Sequence, residues 1–147
     1  LSKFNSITKV FLLGKGIDYF IAKEASLKLK EIAYVHAEAY SSSSLKHGPF
    51  ALLDEDFPVI LIYTQPEYYI KNDIAIQEIS CRGAPIFIFT NRSMGIKENP
   101  NIIKVPSSNY SFLFVLIYLQ LFAYNLSIQR NINPDIPRNL AKVVTVE

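Results

Sequence analysis

The chain has 147 residues, 50% hydrophobic and 19% charged, with a formal net charge of +2. That balance suits one globular domain with a sizeable core and excludes a tail or a linker. With no tryptophan and no basic run, it carries no electrostatic footprint for nucleic acid or an anionic membrane, so the expected partner is a small molecule or another subunit.

Cys81 is the single cysteine, which rules out an internal disulfide, favours a reducing, cytoplasmic setting, and suggests a helix-packing role. The sequence starts at Leu1 and lacks the basic, apolar and small-residue succession of a signal peptide. A segment of a longer protein is the expectation.

"KVFLLGKG" at 9 to 16 is a short apolar run stopped by two glycines, the form of a strand buried on both faces. From about Asp18 to His36 the apolar positions become helical, with Ile21, Ala22, Ala25, Leu29, Ile32 and Ala33 on one stripe. A strand "PVILIYT" at 58 to 64, a helix from about Glu67 to Cys81, and strands "PIFIFT" at 85 to 90 and "NIIKV" at 101 to 105 follow. Strands alternating with helices imply parallel pairing through right-handed crossovers, hence an α/β three-layer αβα sandwich with a mostly parallel sheet.

Residues 110 to 130, "YSFLFVLIYLQLFAYNLSIQR", are long enough for a membrane span, but Gln120, Asn125 and Ser127 interrupt them and no lysine cluster flanks them. A helix apolar around most of its circumference is expected between subunits or inside a larger protein. Pro134 and Pro137 make 131 to 147 an extended tail over the surface.

Three features carry possible chemistry. On a helix from Asp18 to His36, Glu24, Lys28 and Glu31 fall within an arc of about 60° beside the apolar stripe. The plain reading is two surface ion pairs; the sharper one is a carboxylate at a covered cleft that shuttles a proton, with lysine adjusting the charge. His47 lies between Lys46 and a Gly48-Pro49 turn that fixes its mount, and imidazole exchanges protons near neutral pH. The serines at 41 to 44 could hold phosphate through hydroxyls and N–H groups, or be a flexible linker.

Other motifs fail on their own terms. "GKGIDY" gives only G-x-G, with Tyr19 where a dinucleotide site needs a third glycine. "HAE" at 36 to 38 lacks the two-cysteine partner of a zinc deaminase, and two histidines in all argue against any metal site.

The blocks "GKGIDYFIAKEASLKLKEIAYVHAEAY", "LKHGPFALLDEDFPVI" and "PRNLAKVVTVE" closely resemble, in register over nearly the whole chain, the C-terminal sugar-isomerase (SIS) domain of the glucosamine-6-phosphate synthases, the isomerizing glutamine:fructose-6-phosphate aminotransferases. The resemblance implies a flavodoxin-like SIS fold and one isomerase half of an enzyme that makes glucosamine 6-phosphate from fructose 6-phosphate and glutamine. It implies roles residue by residue. Glu31 looks like the base that moves a proton between C1 and C2, Lys28 like its charged neighbour, and Glu24 like a supporting carboxylate. His47 looks like the ring-opening acid/base, supplied across a homodimer interface. Lys142 looks like the amine that forms a Schiff base, on a tail covering the site.

No metal or organic cofactor is implied. The expected partners are a phosphosugar, a second copy, and the first SIS and glutaminase domains of the same protein. Without those domains the chain alone is expected to be nearly inactive. "SSSS" at 41 to 44 departs from the family, which more often has alanine and glycine followed by glutamate there. The rival expectation is a non-catalytic phosphosugar-binding SIS module of a regulator; Glu31, His47 and Lys142 together favour the enzyme.

Overall fold

In the computed structural model, which describes residues 6–93 and 101–140, five parallel strands run through the middle of the molecule. β1 (Lys9–Gly14), β2 (His36–Ser41), β3 (Val59–Tyr63), β4 (Ile86–Thr90) and β5 (Ile102–Lys104) lie in the order β2-β1-β3-β4-β5, the flavodoxin-like arrangement. Helices α1 (Ile17–Ala33) and α2 (Tyr69–Ser80) supply the β1–β2 and β3–β4 crossovers, and α3 (Ser111–Gln129), after the last strand, packs beside α1 in an outer layer.

Strand period 2 divides the apolar side chains between two cores. Val10, Leu12, Ile60 and Ile62 point to one face, where Ala22, Ala25 and Leu29 of α1 meet Val115, Leu119 and Ala123 of α3. Phe11, Leu13, Val59, Leu61 and Tyr63 point to the other, against Ile79 of α2 and Leu45, Leu53 and Phe57 of the β2–β3 connection. All five residues of β3 are buried, as a central strand covered on both faces requires. Each such Leu, Ile or Phe contributes about 1.5–3 kcal/mol by leaving water.

Two contacts fix α1 against the sheet. A Cβ on Gly14 would fall 2.4 Å from the Asp18 carbonyl carbon and oxygen, so only glycine lets the first turn of α1 come this close to β1. The fully buried Asp18 carboxylate then accepts hydrogen bonds from the Thr64 N–H (2.8 Å) and hydroxyl (2.5 Å), tying α1 to the end of β3. Burial pushes the Asp18 carboxyl above its usual range, and the Thr64 hydrogen bonds oppose that shift.

The first helix stops at Ala33, three residues short of His36, because Tyr34 adopts a left-handed conformation (φ 54°) and the Val35 N–H closes back on the Leu29 carbonyl at 3.1 Å. The next residues form β2, an edge strand that helical periodicity alone did not suggest. Its only fully buried residue is Ala37, so it lacks the apolar run that marks the central strands. α2 begins at Tyr69, after a 3-10 turn at Pro66–Tyr68. Cys81 caps α2 and is exposed, not packed as expected.

α3 is long and apolar enough to cross a membrane by length and composition. One side of it is packed on α1 and the sheet through Val115, Leu119, Ala123 and Leu126. The other side leaves Ile117, Leu121, Tyr124 and Ile128 about half exposed. Beyond it, residues 131–140 run as turns, with Asn131 and Asn139 at positive φ, where an extended tail was expected.

Candidate functional site

The polar edge of α1 brings Glu24, Lys28 and Glu31 together, as the i, i+4 and i, i+3 spacings imply. The Lys28 ammonium donates to Glu31 Oε2 at 2.8 Å and lies 3.7 Å from Glu24 Oε1. The hydrogen bond it donates to Glu31 holds the lysine above its usual pKa; partial burial opposes this, and the charges of both carboxylates reinforce it. The side chains are 39%, 33% and 26% exposed for Glu24, Lys28 and Glu31, so Glu31 is the most sheltered and still reachable.

The C-terminal end of α1 is the point where the tail returns. Arg130, at the end of α3, donates to the Ala33 carbonyl at 2.7 Å and to the Ile7 carbonyl, satisfying an acceptor that the helix end leaves open. Eight residues on, the Arg138 guanidinium stacks over the Tyr34 ring, 4.1 Å from its centroid, while the Arg138 N–H donates to the Tyr34 hydroxyl at 2.8 Å. Tyr34 lies three residues after Glu31. Sequence reading did not find this anchor, because its two halves are 104 residues apart.

Lys142 lies outside the described residues. Its chain distance from Arg138 is four residues, a reach of at most about 14 Å.

His47 ends a 3-10 turn (Leu45–His47) and is exposed. Gly48 follows with φ 140°, a conformation that glycine adopts readily and that sets the turn into Pro49. Leu45, two residues before His47, belongs to the core on the face opposite α1. Among the described residues no hydrogen bond or ion pair joins the His47 side chain to Glu24, Lys28 or Glu31. The chain therefore gathers three of the expected site residues and leaves His47 apart.

His36 and Glu38, from the rejected zinc pattern, pair with each other at 3.1 Å, and Glu38 also accepts from Tyr40. That hydrogen bond, with burial, pushes the Tyr40 phenol up to about 12. No group of three or more His, Cys, Asp or Glu able to hold a metal occurs among the described residues.

Comparison with known proteins agrees with this architecture. The SIS domain family model matches residues 3–130. The glutamine–fructose-6-phosphate aminotransferase (isomerizing) of Buchnera aphidicola is 46% identical over 140 residues, 94% of this chain and 23% of that protein. The Legionella pneumophila (strain Lens) protein of the same name is 45% identical over 150 residues, 99% of this chain and 25% of its own length. The solved C-terminal domain of the Francisella tularensis glucosamine-fructose-6-phosphate aminotransferase superposes with a TM-score of 0.80 at 34% identity, covering 88% of this chain and 38% of that one. The chain thus spans about a quarter of the length of the curated relatives it matches. With its parallel β2-β1-β3-β4-β5 sheet and a match over 3–130, the chain belongs to the SIS domain family, as a relative of the C-terminal SIS region of isomerizing glutamine–fructose-6-phosphate aminotransferases.

Proposed function

We propose that this chain is the C-terminal isomerase half of a hexosamine-forming aminotransferase, and that Glu31 is its proton-transfer base. The observation that carries the reading is the sheltered Glu31 carboxylate, oriented by Lys28 at 2.8 Å, at the end of α1 where the tail is fastened. Glu31 takes a proton from C1 of the open-chain ketose or its C2 imine, the electron pair moving into the C1–C2 bond and onto the C2 heteroatom. The C2 heteroatom then gains a proton and the C1 hydroxyl loses one. As the C1–O bond becomes a carbonyl, the C1–C2 pair takes up a proton at C2 from Glu31, leaving the aldose form. One carboxylate must reach both carbons, which a fixed helix position permits.

Lys28 steadies the charged carboxylate, and Glu24 on its other side keeps the ammonium in place. The Lys142 amine adds to the C2 carbonyl with loss of water, and the tail that carries it excludes solvent. His47 opens the sugar ring in the active site of a second copy, which accounts for its position across the sheet from α1. The half-exposed apolar side of α3 is covered by that copy or by the preceding half of the protein, and the assembly is cytoplasmic. Phosphate is held mostly by the first SIS domain, so the 147 residues alone neither transfer an amino group nor isomerise well.

The test is conversion of fructose 6-phosphate to glucose 6-phosphate by the two-SIS protein with and without Glu31→Gln. Loss of a general base predicts a fall of about 10²–10⁴-fold. Equal rates remove Glu31 from this role, and phosphosugar binding with no turnover in either protein favours the regulator module.

A further inference from the structure

Glu31 stands in the last turn of α1, the part of a helix least held by its own hydrogen bonds. The carbonyls of Lys30, Glu31, Ile32 and Ala33 lie beyond the reach of the helix's own N–H groups. The Tyr34 and Val35 N–H groups both turn back to the Leu29 carbonyl, so the cap serves none of these four. Arg130, the residue that follows α3, meets the last of them. Its Nη1 donates to the Ala33 carbonyl at 2.7 Å, and its Nη2 donates to the Ile7 carbonyl, just before β1.

We propose that Arg130 is a positioning residue for the reaction assigned to Glu31: it clamps the last turn of α1 between the start of β1 and the end of α3, and so fixes the carboxylate against the sugar. The proposal rests on the reading of Glu31 as the base and goes beyond it in naming what holds that base still. Lys28 aims the carboxylate at 2.8 Å, whereas Arg130 holds the backbone from which the carboxylate projects.

The arginine is itself anchored. Its own N–H bonds to the Leu126 and Ser127 carbonyls at 3.1 Å, Asn131 takes φ 56°, and the Ile132 N–H returns to the Ser127 carbonyl at 2.9 Å. That αL turn ends α3 firmly, so the guanidinium springs from a fixed point. A planar fork reaches carbonyls on two different elements with one side chain, where an ammonium offers a single point. Its charge also suits the negative end of the α1 dipole. The segment that follows comes back to Tyr34 through Arg138, so both of its ends are fastened to adjacent residues, Ala33 and Tyr34, just after Glu31. Freeing the first of these fastenings lets the last turn shift, and a misplacement of about 1 Å at a reacting group costs about 100-fold in rate.

The experiment measures isomerisation of fructose 6-phosphate by the full-length protein carrying Arg130→Met, Arg130→Lys or, as a stability control, Ile79→Val, which thins the core on the other face of the sheet. Arg130→Met is expected to lower kcat about 10- to 100-fold with KM within about threefold of wild type. Arg130→Lys, which keeps the charge and one of the two contacts, is expected to stay only about threefold below wild type in kcat. Ile79→Val should lower the urea midpoint and leave kcat unchanged. Hydrogen exchange read by mass spectrometry should quicken over residues 28–36 in Arg130→Met and keep the wild-type rate over β3. A wild-type kcat in Arg130→Met, a lysine variant no better than the methionine one, or an equal rise of exchange over β3 overturns the proposal. If Arg130→Met does not fold, Arg130→Lys decides alone: a lowered kcat with faster exchange confined to 28–36 supports the clamp, and an unchanged kcat overturns it. Loss of activity in Glu31→Gln with Arg130→Met at the wild-type rate removes the clamp and leaves the base. A wild-type rate in Glu31→Gln removes the base, and the proposal with it.

Discussion

Removing the Tyr34 ring should unfasten the tail without unfolding the domain. In the wild type the ring holds the Arg138 guanidinium at 4.1 Å and its hydroxyl accepts the Arg138 N–H at 2.8 Å. An exposed cation–π contact is worth about 0.5–1 kcal/mol and a neutral hydrogen bond about 0.5–1.5 kcal/mol. Tyr34→Ala removes both, a loss of about 1–2.5 kcal/mol, which raises the undocked population about 5- to 70-fold. Tyr34→Phe keeps the ring and should give only about 2- to 12-fold. Alanine tolerates the φ of 54° no better than tyrosine, so backbone strain is nearly unchanged and the comparison isolates the side chain.

The assay is amide hydrogen exchange at Arg138, the very N–H that Tyr34 accepts, with urea denaturation as the global reference. Faster exchange at Arg138 with an almost unmoved urea midpoint is the expected pair of results. Unchanged exchange, or acceleration matched by an equal loss of global stability, refutes the anchor. In the longer protein, Tyr34→Ala should also lower isomerase activity, because the tail it releases carries Lys142.

Gly14→Ala should cost about 1–3 kcal/mol in urea denaturation, since the new methyl meets the Asp18 backbone at 2.4 Å and α1 must move; a smaller loss would mean the helix has slack there. Asp18 should give a distinctive pH dependence. Its folded pKa is raised, so its contribution is fully present below about pH 4 and is lost as pH rises through the folded value. The urea-stability advantage of wild type over Asp18→Asn should therefore shrink from pH 4 to pH 7, and a growing advantage contradicts the burial argument. Ile117→Glu with Leu121→Glu, on the open side of α3, should leave the chain's own stability within about 0.5 kcal/mol while abolishing association measured by sedimentation. Unimpaired association would place the interface elsewhere.

The central strands were readable in sequence because β3 is buried on both faces, and its five apolar residues admit no other strand reading. β2 was not, because an edge strand needs little apolar surface, and "HAEAYS" continues the preceding helix without a glycine or proline to break it. The Glu24–Lys28–Glu31 group was legible because helical geometry alone dictates neighbours three and four apart. Contacts between distant residues gave no such signal: Asp18 meets Thr64 across 46 positions, and Tyr34 meets Arg138 only once the turns after α3 bring the tail back.

Proton exchange at the sugar itself tests the role of Glu31 most directly. In deuterium oxide, the two-SIS protein should replace one C1 hydrogen of fructose 6-phosphate with deuterium, followed by proton NMR, and Glu31→Gln should slow that exchange by at least about 100-fold while the protein still binds the sugar. Exchange at the wild-type rate in the Glu31→Gln protein would show that another group moves the proton.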